Sequence, residues 1–290
     1  MLRVAAVVLV ALFVTSGTAA AQGRGGGGGK GRSAPASAAR GGSQTSTAPV
    51  ALQPSPSFPQ LGIWLDDATI VGTGEGYASL GAAYWRSSNA NQIDVPIVGI
   101  TYGISNCAQL SASVPFYRAS YGGLTASGLD NVYVNGKVAL VSRDAGAGGI
   151  GVALGAVAEI LSAGLAEASR VHWVVPVSVE VRAHPVRMYG STGYFSRGAF
   201  FAAAAVEVTV PAGTSVTASL AHSASVRGLT IATSPGTTPR GALRDATVVV
   251  AHPVSDAASV YASGSRTFSA TRINGASSVN VGLSFRFVGP

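Results

Sequence analysis

The strongest pattern in this sequence is an alternation of apolar and polar residues with a period of two. Near the C-terminus, residues 278–287 read Ser-Val-Asn-Val-Gly-Leu-Ser-Phe-Arg-Phe. In an extended strand, Val281 and Phe285 lie on one face, whereas Asn280 and Arg286 lie on the other. Because a strand of a soluble sandwich seldom carries Arg on its inner face, the pattern favours a strand between lipid and water.

The same alternation recurs in residues 108–116, 131–141, 150–160, 171–182 and 206–210. In these segments, polar side chains, and the ionisable ones wherever they occur, fall on the face opposite the continuous aliphatic one. The candidates that this pattern predicts to line the lumen of a barrel are Asn135, Lys137, Glu159, Glu180, Arg182, Glu207 and Arg286. Two interpretations of this set remain open: a lumen plugged by mutual ion pairs, or a selective pore lining whose mixed charges set a transverse field.

Turn signals divide the chain into about twelve strands, an even number with both termini on the side of the short turns, as bacterial barrels require. The predicted short connections are residues 103–106, 144–148, 184–187, 211–213 and 253–256, and the mostly longer ones are 87–91, 118–130, 162–170, 224–243 and 269–276. Aromatic residues, Tyr194 and Phe195 among them, cluster near the predicted strand ends, where membrane girdles lie. The predicted fold class is an all-β, transmembrane, antiparallel up-and-down β-barrel in residues 61–290.

The N-terminal residues predict export. Residues 4–14 form an apolar run behind Arg3, and small residues follow as far as Ala21. This is the layout of a secretory signal peptide, predicted as residues 1–21 and cleaved after Ala21, and the run is too short to span a bilayer. Residues 22–60 are rich in Gly, Ala, Ser and Pro and contain no acidic residue. They are predicted to be a disordered basic tail that the barrel does not need.

Charge and motifs argue against several other functions. From Leu61 onward, fourteen Lys and Arg stand against twelve Asp and Glu, so most of the net charge of +7 belongs to the signal and tail. Nucleic-acid binding by a folded basic face is therefore not predicted.

The sequence also gives no sign of a metal or cofactor site. Cys107 is the only cysteine, which excludes a cysteine metal cluster. Gly31 replaces the Ser or Thr that a phosphate loop needs after Lys30. We predict no cofactor and no metal.

Barrel hydrolases exist, and they need a His and a Ser on the same strand face beside an acidic residue. Here the residues two positions along from His222 and His252 are Ala224 and Val254. The sequence therefore does not predict an enzyme.

Two segments carry a family resemblance. Residues 128–140 read Gly-Leu-Asp-Asn-Val-Tyr-Val-Asn-Gly-Lys-Val-Ala-Leu. They resemble the Gly-Leu-Gly-Asp strand opening and the following Gly-Ala-Lys-Tyr segment of the outer-membrane proteins grouped as the meta-pathway phenol-degradation, or transporter-like, family. Residues 102–106 and 110–117, with Val-Pro-Phe-Tyr at the end, resemble the turn, strand and Leu-Pro-Tyr unit of that family. Asp130 stands where the family has its second glycine, and Val288-Gly289-Pro290 follow the terminal aromatic residue.

The resemblance covers residues 93–141 and the C-terminal strand, and it implies a membrane barrel that passes small apolar solutes. The leading hypothesis is a channel-like barrel in the cell outer membrane that passively admits small solutes, apolar or aromatic ones among them. The alternatives are a non-conducting structural or adhesive barrel, whose loop 224–243 meets an external partner, and a secreted soluble β-protein. Expected partners are outer-membrane lipid, the barrel-assembly machinery through the C-terminal strand, and a small-molecule solute.

Overall fold

The computed structural model describes residues 65–87, 90–121, 123–141, 149–161, 170–196, 198–225, 242–269 and 276–289. The predicted signal peptide, the predicted tail and most of the loop 224–243 lie outside the described residues. None of the described residues forms a helix that is long and apolar enough to cross a membrane.

The described residues form thirteen strands. Their bounds are β1 Glu75–Arg86, β2 Ala90–Ser105, β3 Ala108–Tyr121, β4 Leu124–Leu129, β5 Val132–Val141, β6 Gly149–Ile160, β7 Val171–Ala183, β8 Val186–Phe195, β9 Ala199–Thr209, β10 Ser215–Ser225, β11 Ala242–Ser255, β12 Ala258–Ser269 and β13 Ser277–Val288. A short 3-10 turn, Pro211–Gly213, joins β9 to β10.

The strands close into a barrel because β1 pairs antiparallel with both β2 and β13. One end of β3 pairs with β5, from Ala108 opposite Val138, and its other end pairs with β4, up to Tyr121 opposite Leu124. β4 and β5 therefore share one strand position, interrupted at Asp130, and the barrel has twelve positions. The predicted all-β antiparallel barrel of about twelve strands is confirmed.

The two faces of the wall have opposite polarity. On β7, for example, Val177 is 38% exposed whereas its neighbour Ser178 is 1% exposed. Across the barrel, exposed Val, Leu, Ile and Phe side chains point outward, and buried Ser, Thr, Asn and charged side chains point inward. This arrangement inverts that of a soluble domain, and an outward apolar surface of this kind is stable in lipid.

The predicted long connection at residues 118–130 is wrong. β3 continues to Tyr121 and β4 begins at Leu124, so most of this segment is a paired hairpin. The composition of β4, Leu-Thr-Ala-Ser-Gly-Leu, is typical of a loop, but ladder hydrogen bonds come from the backbone and tolerate such residues. Phe195, predicted to belong to an aromatic girdle, is instead buried on the inward face.

We call the end of the barrel that holds Glu75 and Val288 the terminal end. The turns between β2 and β3, β7 and β8, β9 and β10, and β11 and β12 lie at this end. At the other end, which we call the distal end, β1, β8 and β10 end and β2, β9 and β11 begin.

Candidate functional site

Residues 65–74, which we call the luminal segment, lie inside the barrel before β1 begins. The Gly74 N–H donates a hydrogen bond to the Gly103 carbonyl at 3.0 Å, and the Val71 N–H donates to Oε1 of Gln109 at 2.8 Å. A Cβ atom on Gly103 would lie 2.1 Å from the carbonyl oxygen of Gly72. Only glycine therefore allows the segment to pass so close to the wall at β2.

Two adjacent acidic residues attach the luminal segment to β5 and β8. Nζ of Lys137 donates to Oδ1 of Asp66 at 3.0 Å and to Oδ1 of Asp67 at 3.2 Å. Arg187 forms an ion pair with the other carboxylate oxygen of Asp67. The Asp66 N–H also donates to Oγ of Ser191 at 3.0 Å. The attachment thus combines charge-assisted and neutral hydrogen bonds.

Arg187 on β8 is the centre of this group of charges. Its guanidinium donates to Oε1 of Glu180 at 2.9 Å and lies 3.5 Å from Oε2 of Glu207, and it stacks 4.7 Å from the centroid of the Tyr189 ring. Glu180 also pairs with Arg182 and accepts a hydrogen bond from Oγ1 of Thr69 at 2.8 Å. Neighbouring strands and the luminal segment therefore share one network.

We call this network the latch cluster; its members are Asp66, Asp67, Lys137, Glu180, Arg182, Arg187 and Glu207. It contains four carboxylates and three cations, so its formal charge is close to neutral. Burial alone would raise the pKa of Asp67, but the positive charges of Arg187 and Lys137 lower it to about 2. Asp67 is therefore ionised at neutral pH, and its burial is tolerated because it is paired.

An apolar patch lies on the same side of the lumen. Leu65, which is 1% exposed, belongs to a cluster that includes Val157, Val174, Tyr189 and Phe201. These side chains come from the inward faces of β6 to β9. We call the inner face of β5 to β9, with its charged and apolar residues, the latch wall. The luminal segment packs against this wall.

The inner face of β10 to β13, which we call the hydroxyl wall, is built differently. Its buried hydroxyl side chains are Ser215, Thr217, Ser219, Ser223, Thr247, Ser259, Ser263, Ser265, Thr267, Ser278 and Ser284. These side chains bond mainly along the wall: Ser265 and Ser278 lie 2.6 Å apart, and Nδ2 of Asn280 donates to Oγ of Ser263 at 2.9 Å. One contact reaches the latch cluster, where Thr217 donates to Glu207 at 3.4 Å.

The structure brings four of the seven predicted lumen-lining residues together, since Lys137, Glu180, Arg182 and Glu207 belong to the latch cluster. The other three lie apart. Glu159 accepts hydrogen bonds from Nδ2 of Asn131 at 2.9 Å and from the Tyr133 hydroxyl at 3.1 Å. Arg286 pairs with Glu75 at 2.6 Å. Asn135 is buried on the inward face of β5.

Sequence reasoning missed Asp66, Asp67, Thr69 and Arg187. Asp66 and Asp67 are the first acidic residues of the chain. A pair of carboxylates shortly before the first strand is the sequence signal that could have identified them. Arg187 was assigned to a short turn at residues 184–187, whereas β8 begins at Val186. No group of three or more His, Cys, Asp or Glu within the described ranges is arranged to hold a metal ion.

No protein-family model matches the sequence, and a comparison with curated proteins likewise finds no match. Solved structures do resemble the barrel. An outer-membrane channel from Pseudomonas putida F1 aligns with a TM-score of 0.55 and 13% identity, over 76% of this chain and 98% of that one. The NanC porin aligns with a TM-score of 0.50 and 10% identity, over 72% and 98% of the two chains. These likenesses show the fold, which is that of a porin-like outer-membrane β-barrel.

Proposed function

We propose that this barrel is an outer-membrane channel that passively admits small solutes along its hydroxyl wall. The observation that carries the proposal is the contrast inside the lumen: the luminal segment occupies the side of the latch wall, whereas the inward side chains of β10 to β13 are mostly short. Pore diameter and the hydrogen-bonding groups that line a pore decide which solutes pass.

The larger side chains on β12 and β13 also lie flat against the inner face of the barrel. Tyr261 lies over Gly282, because a Cβ atom on that glycine would be 2.3 Å from the Tyr261 hydroxyl. Arg286 is held by Glu75 on the neighbouring strand β1. Side chains that are held flat against a wall take up less of the lumen than side chains that project across it, and this supports passage along β10 to β13.

The inner face of the barrel and the sequence resemblance bear on the class of solute. Hydroxyl groups donate and accept hydrogen bonds, so the hydroxyl wall favours the polar groups of a small solute. The resemblance to the meta-pathway phenol-degradation family supports apolar or aromatic solutes.

The proposal includes how the protein reaches the outer membrane and how it is assembled there. The barrel reaches the cell outer membrane after removal of residues 1–21, and its C-terminal strand is recognised by the barrel-assembly machinery. The alternation of β13, with exposed Val279, Val281 and Phe285 on one side, supports this role because assembly signals of this kind are lipid-facing strands that end near an aromatic residue.

Single-channel recording in planar bilayers tests the proposal with two adjacent substitutions. Ser219 is buried on the hydroxyl wall, and Leu220 is 65% exposed on the lipid-facing side. We expect Ser219→Trp to lower the conductance of the wild-type channel, because it narrows the path, and Leu220→Trp to leave the conductance unchanged. Equal conductance in the two variants would contradict passage along this wall.

A second candidate function is a non-conducting structural barrel, and the latch cluster is the observation that favours it. Its ion pairs tie the luminal segment to β5, β7 and β8. A structural barrel would show no conductance in the wild type and none in a variant with Asp66→Asn and Asp67→Asn, which weakens the attachment. Conductance that rises in this variant would instead show a channel that the segment narrows.

A further inference from the structure

The lipid-facing surface carries positive charge at one end of the barrel only. Arg86, Arg118, Arg244 and Arg266 are exposed and alternate with inward-facing residues, so they point outward. All four lie near the distal end, on β1, β3, β11 and β12. We call them the arginine belt. At the terminal end, the described strand residues that point outward include no Lys, Arg, Asp or Glu.

Three members of the arginine belt are close neighbours in the sheet. Arg86 on β1 and Arg266 on β12 both pair with Ser277 on β13, so their backbones are about 10 Å apart, two strand spacings. Arg244 on β11 pairs with Phe268, which makes it a diagonal neighbour of Arg266 at about 7–8 Å. Nη1 of Arg266 donates to Oγ of Ser277 at 2.7 Å, which holds this side chain along the surface.

Within the described strands, no carboxylate shares the outer surface with these arginines. Asp245 follows Arg244 in the chain but is 4% exposed and points into the lumen. The other carboxylates of the described strands also point inward, including Asp94 and Glu159. A cation beside a lipid-facing surface is stabilised by an anion, and the described strand residues place none on this surface.

We propose that the arginine belt binds the phosphate groups of anionic lipid in the outer leaflet. This rests on the outer-membrane location proposed above, in which the short turns of the terminal end face the periplasm and the distal end meets the outer leaflet. Arginine suits this role because its planar guanidinium can donate two parallel hydrogen bonds to a phosphate. The aromatic side chains Tyr84 and Phe268 are 42% and 53% exposed on the same strands, as expected for residues at the membrane interface. The belt spans several strands, so a row of headgroups fits it and a single small anion does not.

The test measures binding of fluorescent lipopolysaccharide, a phosphate-bearing glycolipid, to the full-length barrel in phosphatidylcholine nanodiscs. We expect Arg266→Gln to weaken binding roughly fivefold, and the combined Arg86→Gln, Arg244→Gln and Arg266→Gln variant to weaken it about a hundredfold, since each cation near an anionic surface contributes a similar factor. The matched control is Arg286→Gln, which removes one positive charge at the terminal end and should leave binding unchanged.

Further measurements identify the source of the phosphate group and check that each variant has folded. Inorganic phosphate in the buffer should not displace the labelled lipid at millimolar concentration; displacement would show a small-anion site and overturn the proposal. The wild-type barrel should also bind the labelled lipid more weakly at high salt. Heat-modifiable migration on a gel checks that each variant has assembled. Binding that is equal in the wild type and the assembled triple variant, or absent from the wild type, would refute the arginine belt as a lipid site.

Discussion

The latch wall and the hydroxyl wall belong to one closed sheet but reach a stable interior in different ways. On the latch wall, long charged side chains such as Lys137 and Arg187 are buried and pair with the luminal segment. On the hydroxyl wall, short side chains such as Ser263 and Ser265 bond to the neighbouring strand. The first wall depends on a part of the chain outside the sheet, whereas the second is nearly complete within it.

The comparison shows how buried charges determine whether one side of the lumen needs a partner segment. A buried charge is costly unless a partner compensates it, so the latch wall and the two aspartates of the segment must stay together. A serine hydroxyl needs only a neutral hydrogen-bond partner, and the neighbouring strand supplies one for Ser263 and Ser265. The luminal segment is therefore needed on the side of the latch wall, whereas the hydroxyl wall needs no such partner.

The largest expected effect comes from removing the centre of the latch cluster. Arg187→Ala leaves Asp67, Glu180 and Glu207 without their shared cation, and we expect a loss of about 3–5 kcal/mol in the free energy of unfolding, as for other broken buried ion pairs. The measurement is urea unfolding in lipid vesicles. Ser263→Ala on the hydroxyl wall is the control and should cost only about 1 kcal/mol. Similar losses for the two variants would remove the energetic distinction between the walls.

The next effect tests the lipid-facing side of the latch wall. Val177 points outward from β7, and Val177→Arg should cost about 2–4 kcal/mol because it places a charge near the bilayer midplane. The control is Val181→Arg on the same strand, closer to the membrane edge, where the cost falls to about 0–1 kcal/mol. Heat-modifiable migration and urea unfolding both report the result. Normal stability of Val177→Arg would mean that the two faces of the wall are inverted.

The sequence predicts the barrel well because its signal is local. The alternation in β7 or β13 repeats every two residues, so neighbouring residues alone assign Val177 outward and Glu180 inward. The luminal segment has no such signal. Its contacts join residues far apart in the chain, with Asp66 and Ser191 separated by 125 positions and Asp67 and Arg187 by 120. No periodic pattern specifies a contact of this kind.

The same reasoning explains the errors at β4 and Phe195. The pairing of β4 with β3 depends on backbone groups that every residue type offers, so its loop-like composition is misleading. Phe195 lies at a strand end, where aromatic residues often face the membrane interface. Here it faces inward because it shares its strand face with the buried Arg187 and Tyr189, and it belongs to the same buried cluster as Leu65.

A substitution with a smaller effect on stability should distinguish the luminal segment from the strands of the barrel. Gly103→Val places a side chain where the carbonyl oxygens of Val71 and Gly72 now lie, at 2.4 and 2.1 Å from a Cβ atom. We expect the barrel to assemble with a cost of about 1–3 kcal/mol, typical of overpacking. Hydrogen exchange of residues 65–74 should accelerate, while exchange in β10 to β13 stays slow.

The control for this substitution is Gly264→Val on β12, because an added Cβ atom there meets nothing within 4 Å. It should leave hydrogen exchange of the luminal segment unchanged. Unaltered protection of residues 65–74 in Gly103→Val would mean that the segment does not depend on its passage over β2. Faster exchange throughout the hydroxyl wall would mean that this wall, too, relies on the segment.

The smallest effect on stability should come from Glu180→Gln. With all members ionised, the latch cluster carries one more carboxylate than cations, so loss of one negative charge brings it to formal neutrality. The amide oxygen of glutamine can still accept a hydrogen bond from Thr69 or Arg187. We therefore expect normal assembly, because Lys137 and Arg187 keep carboxylate partners, and Arg182, which loses its carboxylate partner, is partly exposed to solvent.

The same substitution should be visible in ion preference if the lumen conducts. Removing a fixed negative charge from the wall lowers its attraction for cations, so the reversal potential under a salt gradient should shift toward anion preference. Asp256→Asn is the matched control, since Asp256 is exposed in a turn at the terminal end and its loss should produce a smaller shift. A larger shift from Asp256 would place the ion path away from the latch wall. Failure of Glu180→Gln to assemble would show that Arg182 and Arg187 need the negative charge of Glu180.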